Sequence, residues 1–148
     1  MQPIHLTTEH DLAIREHGQR AYPYECCGFM LGSIEEGVRR VERVEPALNA
    51  RGEEERHNRF TISPEAYLAA EKAARAADLE VLGFYHSHPD APARPSAYDL
   101  EHAWPWYSYV IVAVREGTAE QMTSWQLEDD RSKFNEQAVQ VGLAQEIR

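Results

Sequence analysis

Gly83-Phe84-Tyr85-His86-Ser87-His88-Pro89, followed after a short Pro/Ala/Arg loop by Ser96-Ala97-Tyr98-Asp99, is the stretch from which the rest of the chain is read. The apolar run from Val81 to Tyr85 feeds two histidines one residue apart and stops at a proline. In an extended strand, side chains two apart point to the same face. His86 and His88 therefore converge on one point and share a face with Leu82 and Phe84. Two neighbouring core histidines would each need hydrogen-bond partners, and a shared metal ion is the simpler account. Ser96-x-x-Asp99 has the spacing of an N-terminal capping box, with Ser96 as the helix N-cap. That puts the Asp99 carboxylate in a first helical turn, from which it can reach back to the histidines. Two imidazoles and one carboxylate with a position left open describe a catalytic zinc site better than a closed structural one.

The flanking segments supply a frame for that strand. Ser63-Pro64-Glu65 opens a helix with a serine cap, a proline at the first helical position and an acid in the first turn. Its alanine-rich continuation to Ala77 suits close packing on a sheet. After Asp99 the helix runs to about Trp104 and ends at Pro105. Tyr107 to Arg115, rich in β-branched and aromatic residues, is a strand, and Glu120 to Glu128 is its partner through Glu116-Gly117. Upstream, Cys27 to Gly32 is a short buried strand bounded by glycine. Gly37 to Val44, with valines three apart, pairs with it as a hairpin. Thr7-Thr8-Glu9-His10-Asp11 starts a helix, Thr8 and Asp11 having capping-box spacing, and that helix stops before Pro23. The tail from Phe134 to Ile147 reads equally as an edge strand or a short helix. This order of elements predicts an α/β fold, one domain over residues 1–148, with a mixed β-sheet flanked by helices.

Composition narrows the function. The net charge of −10, from 25 acidic and 15 basic residues, argues against a sequence-independent grip on nucleic acid phosphates. No apolar window is long enough to span a bilayer and the N-terminus lacks a signal-peptide pattern, so no membrane association is expected and the cytoplasm is the default compartment. The two cysteines, Cys26 and Cys27, are neighbours, which excludes a disulfide scaffold and a four-cysteine metal site. They read as small buried residues at the start of a strand. The Glu- and Arg-rich segment from Asn49 to Asn58, including His57, reads as solvated surface. Trp104-Pro105-Trp106-Tyr107 reads as core and helix–strand packing, with lining of a groove beside the site as the alternative, and His102, one turn beyond Asp99, as a surface histidine, with support of a metal ligand as the alternative.

Asp90 offers a rival ligand, because His86-x-His88-x-Asp90 also resembles the metallo-β-lactamase pattern. Residue 91 is alanine where that pattern has histidine, so Asp90 reads as a loop residue after Pro89. A three-ligand zinc with a bound water needs a base, and the metal stretch contains none. Chemistry alone leaves many glutamates open.

The motif His86-Ser87-His88-Pro89, six residues, then Ser96-x-x-Asp99 resembles the JAMM/MPN+ metalloprotease signature. Glu25-Cys26-Cys27-Gly28-Phe29-Met30-Leu31-Gly32 is similar to that family's upstream Glu-x-Cys-Gly segment, and Phe60-x-Ile62-x-Pro64 to its pattern before the second helix. The resemblance implies a cytidine-deaminase-like (JAMM/MPN) fold, a single Zn2+ held by His86, His88 and Asp99, Glu25 as general acid/base, and Ser96 assisting the oxyanion. It also implies hydrolysis of a peptide or isopeptide bond after the C-terminal Gly-Gly of a ubiquitin-like protein. The short loops around the site resemble the compact prokaryotic branch, which acts on ubiquitin-like or sulfur carrier proteins. Two rivals remain at this point. Another zinc hydrolase such as a deaminase would need a Pro-Cys-x-x-Cys pair, absent here. A catalytically silent binding module would have no chemical need for Glu25, His86, His88, Ser96 and Asp99 together.

Overall fold

A computed structural model describes residues 1–49 and 62–142. In chain order the elements are β1 (Ile4–Leu6), α1 (Thr8–Ala21), β2 (Cys27–Glu35), β3 (Val38–Ala47), α2 (Pro64–Ala76), β4 (Glu80–Pro89), α3 (Ala97–His102), β5 (Ser108–Arg115), β6 (Thr118–Leu127), β7 (Phe134–Gln137) and β8 (Val139–Val141). They form an eight-stranded mixed sheet in the order β7-β6-β5-β4-β2-β3-β1-β8. The pair β4–β5 is parallel, as is β1 with both of its neighbours.

Each face of the sheet carries its own core. On one, Ile14 of α1 packs with Met30, Leu82, Tyr85, Val110 and Val112. On the other, Ala70 and Ala74 of α2 pack with Phe29, Val81, Phe84 and Tyr109. Small residues set both distances. A Cβ on Gly18 would stand 3.0 Å from Val114 Cγ2, so glycine lets α1 lie directly on β5. The alanines of α2 do the same on the opposite face.

Two bulges revise the simple alternation expected from the sequence. In the β2–β4 pairing, Met30 opposes Gly83 and Leu31 opposes Val81, so Leu82 is an extra residue. It turns to the α1 face while Val81 and Phe84 face α2. Leu82 therefore does not share a face with Phe84, because a bulge shifts the phase of every side chain beyond it. In the β2–β3 pairing, Gly32 opposes Val41 and Leu31 opposes Arg43. Glu42 is the extra residue there, and it lets Val41 and Val44 pack into one core although they are three apart.

Other boundaries moved by small amounts. The cap of α1 is Thr7, whose side chain accepts from His10 N–H, and not Thr8. Ser63 caps α2 with Pro64 at the first turn, as the sequence predicts. Helix α3 ends at His102, short of Trp104. The tail is strand where it is described: β7 joins β6, and β8 lies beside β1. Strand β1 has no counterpart in the sequence reading, since three residues are too few to carry a periodicity. The segment 50–58 with His57, and the residues after 142, lie outside the described residues. No helix among the described residues is long and apolar enough to cross a membrane.

Candidate metal centre

Strand β4 is buried along nearly its whole length, with the side chains of His86 and His88 emerging from its C-terminal end. A proline, a short loop and the Ser96 cap then bring α3 back over that end. The capping box is formed on both sides: Ser96 Oγ accepts from Asp99 N–H, and Asp99 Oδ2 accepts from Ser96 N–H at 2.8 Å. A carboxylate held by its own helix start is aimed at the histidines. Its side chain is 8% exposed and its oxygens lie 3.3 Å from His86 Nε2 and from His88 Nε2. The two Nε2 atoms are 3.1 Å apart.

These three groups are donors of the type a metal takes, and they form the one such cluster among the described residues. His88 Nδ1 lies 2.8 Å from the Pro92 carbonyl. A carbonyl only accepts, so that nitrogen carries the proton and Nε2 of the neutral ring keeps its lone pair. Zinc–nitrogen bonds of 2.0–2.1 Å at tetrahedral angles separate two ligands by roughly 3.3 Å. The spacings of 3.1 and 3.3 Å match that triangle, so the residues fit a tetrahedral ion with one position open. Burial pushes the Asp99 carboxyl up, but the attraction of His86, His88 and the Ser96 N–H outweighs it and holds the group below the usual carboxylate range.

Glu25 approaches from a separate part of the chain. It precedes β2, and Cys27 pairs with His86 across the β2–β4 ladder. Glu25 is 6% exposed, and burial pushes its carboxyl up to about 7 against the pull of His86 and His88. One bond holds its own backbone and others hold the residues on either side. Asn49 Nδ2 donates to the Glu25 carbonyl at 3.2 Å. Cys26 N–H donates to Ser87 Oγ at 2.8 Å, and Ser87 N–H returns a bond to the Cys26 carbonyl. On the N-terminal side, Tyr22 OH donates to Asp90 Oδ2 at 2.5 Å, and Asp90 Oδ1 accepts from Glu116 N–H. Asp90 is thus turned away from the histidines to tie the end of α1 to the β5–β6 turn, in agreement with its reading as a loop residue. Asn49 and Ser87 carried no sequence signal for this work. Ser87 sits between two candidate ligands, and its buried hydroxyl could have been read as a tether only with the β2–β4 register in hand.

The thiols of Cys26 and Cys27 are buried and free, and burial pushes them up to about 11 and about 12. They are packing groups, as expected. The aromatic cluster departs from its reading: Trp104 is 64% exposed and Trp106 42%, and within the run only Tyr107 packs against the core. The indoles instead cover cations, Trp106 over Arg39 and Trp104 beside Arg131. His102 lies exposed with its ring stacked on Tyr98 and Nδ1 2.9 Å from the Tyr98 carbonyl. Trp104, Pro105, His102 and Tyr98 belong with Tyr67 of α2 to the wall of a cavity of about 880 Å³, whose inner edge is made by His86 and Asp99.

Residues 7–128 match the family described as prokaryotic homologs of the JAB domain. A desampylase of Haloferax volcanii is 36% identical over 90 residues, covering 60% of this chain and 62% of that protein. A probable TtuB-protein conjugate cleaving protease of Thermus thermophilus is 37% identical over 97 residues, 66% of this chain and 61% of the relative. This chain thus spans less than two thirds of the length of either relative. The solution structure of a Salinibacter ruber protein superposes with a TM-score of 0.70 at 46% identity, covering 93% of this chain and 91% of that one. With four fifths of its length matched to one family model and the same fold in a near relative, the chain belongs to the prokaryotic branch of the JAB/MPN family.

Proposed function

We propose that the protein, acting as a single domain, is a zinc-dependent hydrolase that cleaves a peptide or isopeptide bond after the C-terminal Gly-Gly of a ubiquitin-like or sulfur carrier protein. The observation that carries this reading is the convergence of His86, His88 and Asp99 beside the buried carboxyl of Glu25. The reading is supported by similarity to a desampylase and to a probable TtuB-protein conjugate cleaving protease.

His86 and His88 would hold the ion through Nε2 and Asp99 through its carboxylate. Zinc in such a site supplies Lewis acidity and a water whose pKa falls to about 7. Each residue of the chain then has a separate task. The Pro92 carbonyl keeps His88 in the tautomer that presents Nε2. Glu25 accepts a proton from the attacking water and returns it to the departing amine. Burial, which pushes the Glu25 carboxyl up, makes it a better proton donor than an ordinary exposed carboxylate. Ser96 Oγ accepts from Asp99 N–H, so its own proton is left to donate to the oxygen that gains charge at the scissile carbonyl.

The test is incubation with a carrier protein joined through its terminal glycine to an amino acid or a lysine side chain, read by intact mass. Cleavage that appears with zinc and disappears with a chelator is the expected result. An intact conjugate under both conditions, with one zinc bound per chain, would overturn the hydrolase reading.

A further inference from the structure

The loop between His88 and Ser96 does two things for the centre. It brings α3 back over the end of β4, and its Pro92 carbonyl accepts the Nδ1 proton of His88. Pro92 and Pro95 lack an N–H, so the loop has few donors with which to fasten itself. Arg94 N–H turns back to the Pro92 carbonyl at 2.8 Å, a tight turn centred on Ala93. The anchor for that turn comes from β6, two strands away from the histidines.

A row of side chains leads from the centre to that anchor. His86 lies opposite Ile111 of β5 and Ile111 opposite Thr123 of β6, while His88 lies opposite Ala113. Residues opposed on neighbouring strands point to the same face of the sheet. Ala93 is fully buried on this row, packed with Ile111, Ala113 and the edge of Trp125. Thr123, 6% exposed, donates through Oγ1 to the Ala93 carbonyl at 2.6 Å. Trp125 Nε1 donates to the same Oγ1 at 2.8 Å. An indole N–H only donates, so the Thr123 proton is left to point at Ala93. The peptide unit between Ala93 and Arg94 is thereby held at both ends, its carbonyl by Thr123 and its N–H by the Pro92 carbonyl. The bonds run in one direction, from the Trp125 indole through Thr123 and this peptide to the acceptor of the His88 proton.

We propose, on the basis of the zinc-dependent reading above, that Thr123 is a positioning residue for His88, holding through the Ala93 turn the carbonyl that keeps Nε2 aimed at the metal. A Pro92 carbonyl free to turn away would let the ring rotate, or carry its proton on Nε2 where the lone pair is needed. Strand β6 supplies no ligand, yet it sets how tightly the ion is held.

Thr123→Val keeps the shape of the side chain and removes the hydroxyl, whereas Thr123→Ser keeps the hydroxyl. The first measurement is nitrogen-edited NMR of the histidine rings in metal-free protein at alkaline pH. The proton on His88 Nδ1 should be resolved in the wild type and in Thr123→Ser. In Thr123→Val it should be lost to solvent exchange or appear on Nε2. The second is zinc affinity by competition with a chromophoric chelator, which should fall about tenfold in Thr123→Val and keep its wild-type value in Thr123→Ser. A lower melting temperature in Thr123→Val is expected of any buried hydroxyl and decides nothing, which is why both measurements are made on folded protein. If Thr123→Val does not fold, Trp125→Phe removes the indole N–H and should move both readouts the same way. An Nδ1 proton absent from the wild type, or unchanged in the Val and Phe variants, would overturn the proposal. So would a zinc affinity unmoved by the loss of the hydroxyl, or a Ser variant that matches the Val one. No zinc bound by the wild type, with the His88 proton behaving as expected, would count against the zinc-dependent reading alone.

Discussion

At the scale of single residues, the proposed site separates holding a metal from moving a proton. Glu25→Gln keeps the volume, the Asn49 bond to its carbonyl and the Ser87 bonds to Cys26, but cannot carry a proton. It should bind one zinc per chain by elemental analysis while kcat falls about 10²- to 10⁴-fold. Retained turnover would remove Glu25 from its role. Ser96 does two jobs that different substitutions can part. Ser96→Ala loses both the cap and the hydroxyl, costing about 1 kcal/mol of stability as well as activity. Ser96→Gly leaves a tolerable N-cap, so its stability should stay within a few tenths of a kcal/mol. Its kcat should nonetheless drop about 10²-fold or more. Equal kcat for the glycine variant and the wild type would leave Ser96 as a cap only. Most of this constellation was legible in the sequence, because His86, His88, Ser96 and Asp99 sit within one strand–loop–helix whose spacing carries the geometry. The tethers of Glu25 were not, because Asn49, Ser87 and Glu25 meet only across the β3–β2–β4 pairing.

At the scale of elements, strand β4 leaves little room for change. A Cβ at Gly83 would fall 1.9 Å from the Ser108 carbonyl oxygen of the neighbouring strand. Backbone cannot yield as a flexible side chain can, so Gly83→Ala should cost about 3 kcal/mol or more, read as a shift in the denaturation midpoint. Leu82→Ala, next to it, removes a fully buried side chain from the α1 face and should cost about 2 to 5 kcal/mol. Helix α1 also brings a pH dependence. His17 Nδ1 lies 2.7 Å from Tyr85 OH, and burial, aided by Arg20, lowers the pKa of the imidazole. The unfolded chain therefore binds a proton that the folded chain resists. The resulting stability is present above pH about 6.5 and is lost as pH falls through the lower folded value. His17→Gln should make the melting temperature fall less between pH 7.5 and pH 5.5 than it does in the wild type. His10, shifted the same way, leaves part of the slope in place. An unchanged slope in the variant would show that His17 does not contribute.

For the whole molecule, an ion held by His86, His88 and Asp99 needs the folded arrangement of β4 and α3, so occupancy should be felt as global stability. Zinc that binds only the folded state, at 100 times its dissociation constant, adds about 2.7 kcal/mol. A melting temperature that rises with zinc and returns with a chelator is expected for the wild type and should be largely lost in Asp99→Asn. The sequence by itself determined the local pieces. Helix starts announced their caps, the α/β order announced the fold class, and the His-x-His and Ser-x-x-Asp spacings announced a metal triad, because each depends on residues a few positions apart. What only the tertiary structure decided lies in non-local pairing. The bulge at Leu82 reverses the face of a side chain with no local signal. Strand β1 exists only because β3 and β8 flank it. The β2–β4 register brings Glu25 to the histidines, and the packing of α2 and α3 over β4 encloses the aromatic cavity beside them. Such contacts are set by how the sheet closes its two cores, and no short window of sequence contains both partners.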